Sequence, residues 1–271
     1  MSLLQTQDLD VRHGLLRAVR NVSFEVQAGD IVAFVGANGA GKSTLFRALV
    51  GAHLPTSGRV LLHGADVTGI PAHRRTRMGI ALVPEGRRLF ADLTVRENLA
   101  LARAAGRKGP WEIDAVLEVF PNLAARIGHK AKVLSGGEQQ ATAIGRALMT
   151  NPDILLLDEV SLGLSPAAVD RVYESIRRLV AGNVTILLVE QDLDRALSVA
   201  TRVVCMLEGR IVASGRAGEL TRAEIIDAYF GSRERPVGSH DHSVGSRDRS
   251  VDSRDGSGES GDRPVNGATA G

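Results

Sequence analysis

The stretch "DIVAFVGANGAGKSTLFRALVG", Asp30 to Gly51, constrains the fold more than any other. A strand-sized apolar run passes directly into glycine-rich turn residues. A segment with apolar residues at helical spacing follows and closes at Gly51. "GANGAGKS" matches G-x-x-x-x-G-K-[ST] in the strand–loop–helix context that the motif requires. Glycines let the backbone curl so that successive N–H groups of Gly36, Ala37, Asn38, Gly39, Ala40 and Gly41 point inward and form an anion nest. The helix N-terminus behind them adds partial positive charge. Lys42 is expected to reach the β- and γ-phosphates of a nucleoside triphosphate, Ser43 to hold Mg²⁺, and Thr44 to sit near the α- and β-phosphates.

A partner for this loop lies downstream. In "DILLLDE", four apolar residues bury a strand and two adjacent carboxylates emerge at its end, where ligands bind in open α/β sheets. Asp158 is placed to support Mg²⁺. Glu159 is placed to orient the attacking water or take its proton, which makes hydrolysis the expected chemistry. "VTILLVEQ" reads as a further buried strand. Apolar strands separated by helical segments predict a mostly parallel sheet covered on both faces. The earlier segments "LLQTQDLDVRHG", "VRNVSFEVQAGD" and "GRVLLHGADVTG" predict short strands in an antiparallel flap. From about 87 to 134 the pattern turns helical, in "TVRENLALARAA" and "EIDAVLEVF", so the sheet is interrupted by a helical insertion.

That insertion ends on a second phosphate-loop look-alike, "LSGGEQQ". Ser135 and Glu138 have the spacing of a capping box, and Ala141, Ile144 and Leu148 fall on one helix face. Capping leaves Gly136 and Gly137 unexplained, because two glycines in a first turn are destabilising unless something approaches the backbone closely. A phosphate is such an object. This loop has neither a lysine nor a metal ligand, so the expectation is that it completes a site whose other half lies on a second chain.

Composition sets the limits. With 44% hydrophobic residues, 271 residues can fill one large core or two small ones. No apolar run approaches the roughly 18 residues needed to span a bilayer. The start "MSLLQTQDLDVRHG" lacks the pattern of a signal peptide, and a lone cysteine, Cys205, suits a reducing compartment. A net charge of +2 with 3% aromatics argues against nucleic acid as a partner. After "AEIIDAYFG" the composition shifts to Gly, Ser, Arg and Asp, with the repeats "VGSHDHS", "VGSRDRS" and "VDSRDGS". One apolar position per heptad cannot bury a coiled-coil seam, so 232–271 is expected to be a disordered tail behind a domain at 1–231.

Taken in order, "GANGAGKST", "LVPEGR", "LSGGEQQ", "ILLLDE" and "LLVEQ" resemble the ATP-binding subunits of ABC transporters from Leu3 to Gly231. The variants "VPEGRRLF", "LTVRENL" and "LLVEQ" resemble the branched-chain amino acid importers most closely. The resemblance implies an α/β P-loop NTPase fold with a RecA-like core, an antiparallel β flap and a helical subdomain. It also implies ATP and Mg²⁺ as ligands, and head-to-tail pairing in which each ATP lies between one chain's Gly36–Thr44 loop and the other's Ser135–Glu138. Glu85 stands at the position of the glutamine that senses Mg²⁺ and the membrane subunit. Gln191 stands at the position of the switch histidine, and His13 at that of the aromatic that stacks on adenine.

This sequence departs from the family at Val160, where proline is usual, which implies a looser loop, and at Ser165, where aspartate is frequent. The implied partners are transmembrane permease subunits and a second ATPase subunit, either a related chain or another copy. The implied location is the cytoplasmic face of the cell membrane, held peripherally. Import of urea or short amides is the alternative within this branch. A repair or ribosome-acting ATPase of the same superfamily would carry coiled coils, cysteine sets or a duplicated domain, and none is found here.

Overall fold

The computed structural model describes residues 2–230 apart from Asn183 and Thr221, so the tail expected at 232–271 lies outside the described residues. Five apolar segments become strands lying side by side: β3 (Ile31–Val35), β6 (Ile80–Val83), β7 (Ile154–Asp158), β8 (Thr185–Val189) and β9 (Arg202–Leu207). They form a parallel sheet in the order β9-β3-β8-β7-β6, and β10 (Arg210–Arg216) pairs antiparallel with β9 at one edge. Every residue of β3, β7 and β8 is buried, which is why these strands read as unbroken apolar runs rather than alternating ones.

The flap is a separate antiparallel sheet of β1 (Leu4–His13), β2 (Leu16–Val26), β4 (Ser57–Leu62) and β5 (Ala65–Asp66), ordered β2-β1-β4-β5. Alternate residues of the parallel strands serve two cores. Val32, Phe34, Ile154 and Leu156 pack toward the flap and α1 (Lys42–Leu49), where Phe34 meets Phe46 edge-on at 5.5 Å. Leu155, Leu157, Ile186 and Leu188 pack the other way, against α5 (Gly136–Leu148) and α6 (Pro166–Ala181). Each fully buried leucine or isoleucine contributes about 1.5–3 kcal/mol, so both faces hold the sheet.

The expected helical insertion is present between β6 and α5. It contains α3 (Val95–Ala100), α4 (Ile113–Val119) and 3₁₀ segments at Leu101–Ala105, Pro121–Arg126 and Ala131–Val133. "TVRENLALARAA" is α-helical only as far as Ala100, tightens to 3₁₀, and stops where Gly106 turns left-handed at φ 75°. α2 (Ala72–Met78) follows the flap, α7 (Leu193–Leu197) follows β8, and α8 (Arg222–Phe230) ends the described chain.

One helix end is tied to the segment after the flap by a buried side chain. Arg75, with no exposed surface, donates to the carbonyls of Ala48 and Leu49 at the end of α1 and to those of Thr68 and Ile70. Burial pulls its guanidinium down to about 10, and Asp66 opposes that shift.

Candidate functional site

Parallel register brings the ends of four strands to one edge of the sheet. Val83 is level with Leu157, Leu157 with Leu188, and Phe34 with Val189. The loops carrying Gly36–Gly41, Glu85, Glu159 and Gln191 therefore leave from the same side, as the strand-edge rule predicts.

The phosphate-loop candidate is held tightly. A Cβ on Gly36 (φ 153°) would lie 2.1 Å from the Met206 carbonyl oxygen, and one on Gly41 (φ 99°) would lie 2.3 Å from that of Ala18. Neighbouring backbone thus leaves no room for a side chain at either position. No side chain caps α1 at Gly41, so the N–H groups of its first turn remain turned toward the loop. Lys42 is 4% exposed, and its Nζ donates to the carbonyls of Gly36 (2.6 Å) and Ala37 (3.0 Å). Burial pulls its ammonium below the usual lysine range, while Glu159 and Asp158 pull it back up. Ala40 is buried and its N–H closes the turn on Ala37, whereas Asn38 and Gly39 are exposed.

Ser43 Oγ donates to Asp158 Oδ1 at 2.9 Å, joining two of the three predicted metal ligands across 115 residues of chain. Burial raises the Asp158 carboxyl. The Ser43 hydrogen bond opposes this, and the negative charges of Glu159 and Glu85 add to it. Glu159 occupies the left-handed region at φ 50°, unusual for a residue with a side chain. Its Oε2 accepts from Gln191 Nε2 at 2.9 Å. The loop expected to loosen at Val160 is anchored instead, because Val160 is 1% exposed and packs into the core beside α6.

At the rim, His13 and Thr44 are hydrogen-bonded through Nε2 and Oγ1 at 3.2 Å. The His13 ring also lies 4.5 Å from that of His53. His13 and Thr44, with Lys42, Ser43, Glu85, Glu159 and Gln191, line an open cleft of about 500 Å³. Oxygen donors dominate it. Among the described residues no group of three His, Cys, Asp or Glu could hold an ion alone. Such a donor set suits Mg²⁺, which takes one or two carboxylates and completes its shell with phosphate and water.

The second loop lies elsewhere. None of Ser135, Gly136, Gly137 or Glu138 lines that cleft. The capping box at the start of α5 is complete: Ser135 Oγ accepts from the Glu138 N–H at 3.3 Å, and Glu138 Oε2 accepts from the Ser135 N–H at 2.8 Å. Burial acts to raise the Glu138 carboxyl, but hydrogen bonds from Ser135 and the Arg126 ion pair hold it below its usual range. Its carboxylate is therefore committed to its own chain. Part of the close approach that the two glycines imply is also internal. A Cβ on Gly137 would meet Ala168 Cβ at 3.0 Å, and one on Gly136 would meet the mobile end of Leu164 at 3.1 Å.

Several residues in this region were not read from the sequence. Gly86, Arg87 and Arg88 form a left-handed run just after Glu85. Arg146 on α5 donates to the carbonyls of Arg87 and Arg88, and Arg87 donates to Gln139 at 3.1 Å, so the Glu85 loop is tied to the helix that starts at the second cradle. Thr94 and Glu97 form a second capping box, a signal legible in "TVRE".

The sequence model of the ABC transporter family matches residues 19–161. The high-affinity branched-chain amino acid transport ATP-binding protein BraG of Pseudomonas aeruginosa is 44% identical over 232 residues, which are 84% of this chain and 100% of that protein. The probable branched-chain amino acid transport ATP-binding protein LivF of Archaeoglobus fulgidus is 38% identical over 225 residues, 82% of this chain and 95% of that one. Among solved structures, the ADP conformation of an ATP-binding cassette of an ABC transporter superposes with TM-score 0.73 at 30% identity, covering 85% of this chain and 99% of the other. Sequence and fold thus agree along nearly the whole described length: the chain belongs to the ABC transporter family, as one of its ATP-binding cassettes.

Proposed function

We propose that this chain is the ATP-hydrolysing subunit of an importer for branched-chain amino acids, driving separate permease subunits by closing on a second ATPase subunit. The solute is suggested by what BraG and LivF are named for. No helix among the described residues is long and apolar enough to cross a membrane, so the passage itself would be built by partner chains.

Within the cleft, Lys42 and the loop N–H groups hold the phosphates, while Ser43, Asp158 and Glu85 hold Mg²⁺. The ion supplies charge neutralisation at the phosphate oxygens. Glu159 orients the attacking water and accepts its proton, and Gln191, a donor that cannot take up a proton, fixes the Glu159 carboxylate. The observation that carries the paired mechanism is the position of Ser135–Gly137 outside its own chain's cleft.

ATP then favours the closed pair, because only that form presents both cradles to the γ-phosphate. Shifting a mostly open population to a mostly closed one takes about 5.5 kcal/mol of differential binding. Two to four charge-assisted hydrogen bonds, at about 1.5–3 kcal/mol each, are sufficient. Hydrolysis removes the clamp and the pair reopens. The link from the Glu85 loop through Arg87 and Arg146 to α5 supports a path from the nucleotide to the helical insertion.

The test is uptake into vesicles holding this chain with its permease and binding-protein partners. Leucine uptake that needs ATP and is lost with Glu159→Gln is the expected result. Uptake of urea in place of leucine would reassign the solute, and full uptake by the glutamine variant would remove Glu159 from the mechanism.

A further inference from the structure

Directly behind the Glu159–Gln191 pair lies a second carboxylate that the mechanism above does not use. Glu190 precedes Gln191 and is 2% exposed. Its Oε2 accepts from Ser161 Oγ at 2.9 Å and from the Gln191 N–H at 3.3 Å. Ser161 belongs to the loop that begins at Glu159. The two loops are thus joined twice, once at the mouth of the cleft and once beneath it. The backbone adds a third tie, from the Glu159 N–H to the Val189 carbonyl at 3.1 Å.

We propose that Glu190 is a positioning residue for hydrolysis: through Ser161 it locks the loop carrying Glu159 to the strand end carrying Gln191, holding the two in contact. The inference rests on the role given to Glu159 above. Its need follows from the backbone. Glu159 sits at φ 50°, a conformation that persists only where the surroundings over-determine it. Val160 anchors this turn by burial, and the Leu162 N–H closes it on the Glu159 carbonyl at 3.2 Å. A hydrogen bond from Ser161 to a buried, directional acceptor adds a side-chain restraint to these backbone ties.

The surroundings of Glu190 suit a structural acceptor and not a solvent-facing charge. Burial pushes its carboxyl upward, opposed by hydrogen bonds from Ser161 and the Gln191 N–H and by the nearby Tyr173 hydroxyl, with the Asp192 charge raising it further. Its other oxygen, Oε1, and the Tyr173 hydroxyl are both buried and neither is in hydrogen-bond geometry with a partner. Each nevertheless lies close enough to alter the other's proton affinity. A carboxyl that carries its proton on Oε1 can donate toward Tyr173 and still accept from Ser161 on Oε2. An amide can fill the same place, whereas an apolar side chain cannot.

This difference gives the experiment. Steady-state MgATP hydrolysis and MgATP binding are measured on the full chain carrying Glu190→Leu, Glu190→Gln, Ser161→Ala or Glu159→Gln. Glu190→Leu and Ser161→Ala should each lower kcat by about tenfold or more, because small misplacements of a reacting group are that damaging. KM and the MgATP dissociation constant should stay within about twofold, and Glu190→Gln should retain a kcat within about twofold of the parent. Wild-type kcat in both Glu190→Leu and Ser161→Ala overturns the proposal, as does a loss in Glu190→Gln equal to that in Glu190→Leu. Parallel loss of MgATP binding overturns it too, since the residue would then act on the pocket and not on the loop. If Glu190→Leu does not fold, Ser161→Ala decides alone. Full turnover by Glu159→Gln would remove the underlying reading, whereas an inactive Glu159→Gln beside a fully active Ser161→Ala would remove only this one.

Discussion

Gln191 Nε2 donates to Glu159 Oε2 at 2.9 Å, pairing the last residue before α7's cap with the residue after β7. Loss of the proton acceptor should be the larger defect. Glu159→Gln is expected to lower kcat by about 100-fold or more and to accumulate as an ATP-bound dimer, whereas Gln191→Ala should cost about tenfold. Single-turnover hydrolysis with size-exclusion chromatography in MgATP reads both effects. An equal loss in the two variants would contradict the division of roles.

Ser43, which lines the cleft, meets Asp158 at 2.9 Å, and that pair predicts a metal-specific defect. Asp158→Asn should weaken MgATP binding by about tenfold while leaving metal-free ATP within about twofold, because the phosphate loop itself is untouched. Titration calorimetry with and without EDTA separates these outcomes.

At the second cradle Gly136 is a cleaner probe than Gly137, whose Cβ would press on Ala168. Gly136→Val should leave melting temperature and monomeric MgATP affinity nearly unchanged, yet abolish pairing in the Glu159→Gln background. Light scattering in MgATP measures it, and an intact dimer would mean that this backbone does not meet the partner's nucleotide.

Arg75 predicts a stability effect with no chemical role. Arg75→Leu removes the side-chain donor from four carbonyl groups, two of them buried at the end of α1, where Ala48 keeps the Gly51 N–H. The expected loss is about 3–5 kcal/mol. At about 2–4 °C per kcal/mol for a chain of this size, Tm should fall by roughly 10 °C or more.

The Glu190 carboxyl is raised by burial, so the folded protein binds its proton more tightly than the unfolded chain does. Stability contributed by that group is present at low pH and declines as pH rises above the unfolded value of 4.5 toward the folded one. Glu190→Gln removes the decline. The Tm of the variant minus that of the parent should therefore grow from about pH 5 upward. Calorimetry across that range reads it, and a difference independent of pH would mean that burial does not perturb the group.

Much of this was legible because single segments carry the signals. "DIVAFVG", "DILLLDE" and "VTILLVEQ" announce buried parallel strands, and "LSGGE" encodes the capping box that Ser135 and Glu138 form. The contacts that hold the site were not legible, since they join residues far apart in the chain: Ser161 with Glu190, Arg146 with the carbonyls of Arg87 and Arg88, and Gly137 with Ala168. A glycine pair looks the same in sequence whether a phosphate or a neighbouring helix approaches it. The hairpin of β9 and β10 went unread although Glu208-Gly209 marks its turn, because only its pairing with β3 shows that it closes the sheet.

The squeeze on Gly36 by Met206 and on Gly41 by Ala18 has a mechanical meaning. A collar wedged between two pieces of foreign backbone is already in its working shape before any nucleotide arrives, so little order has to be created there on binding. Any movement that nucleotide drives would then have to be taken up elsewhere, with the collar as its fixed bearing.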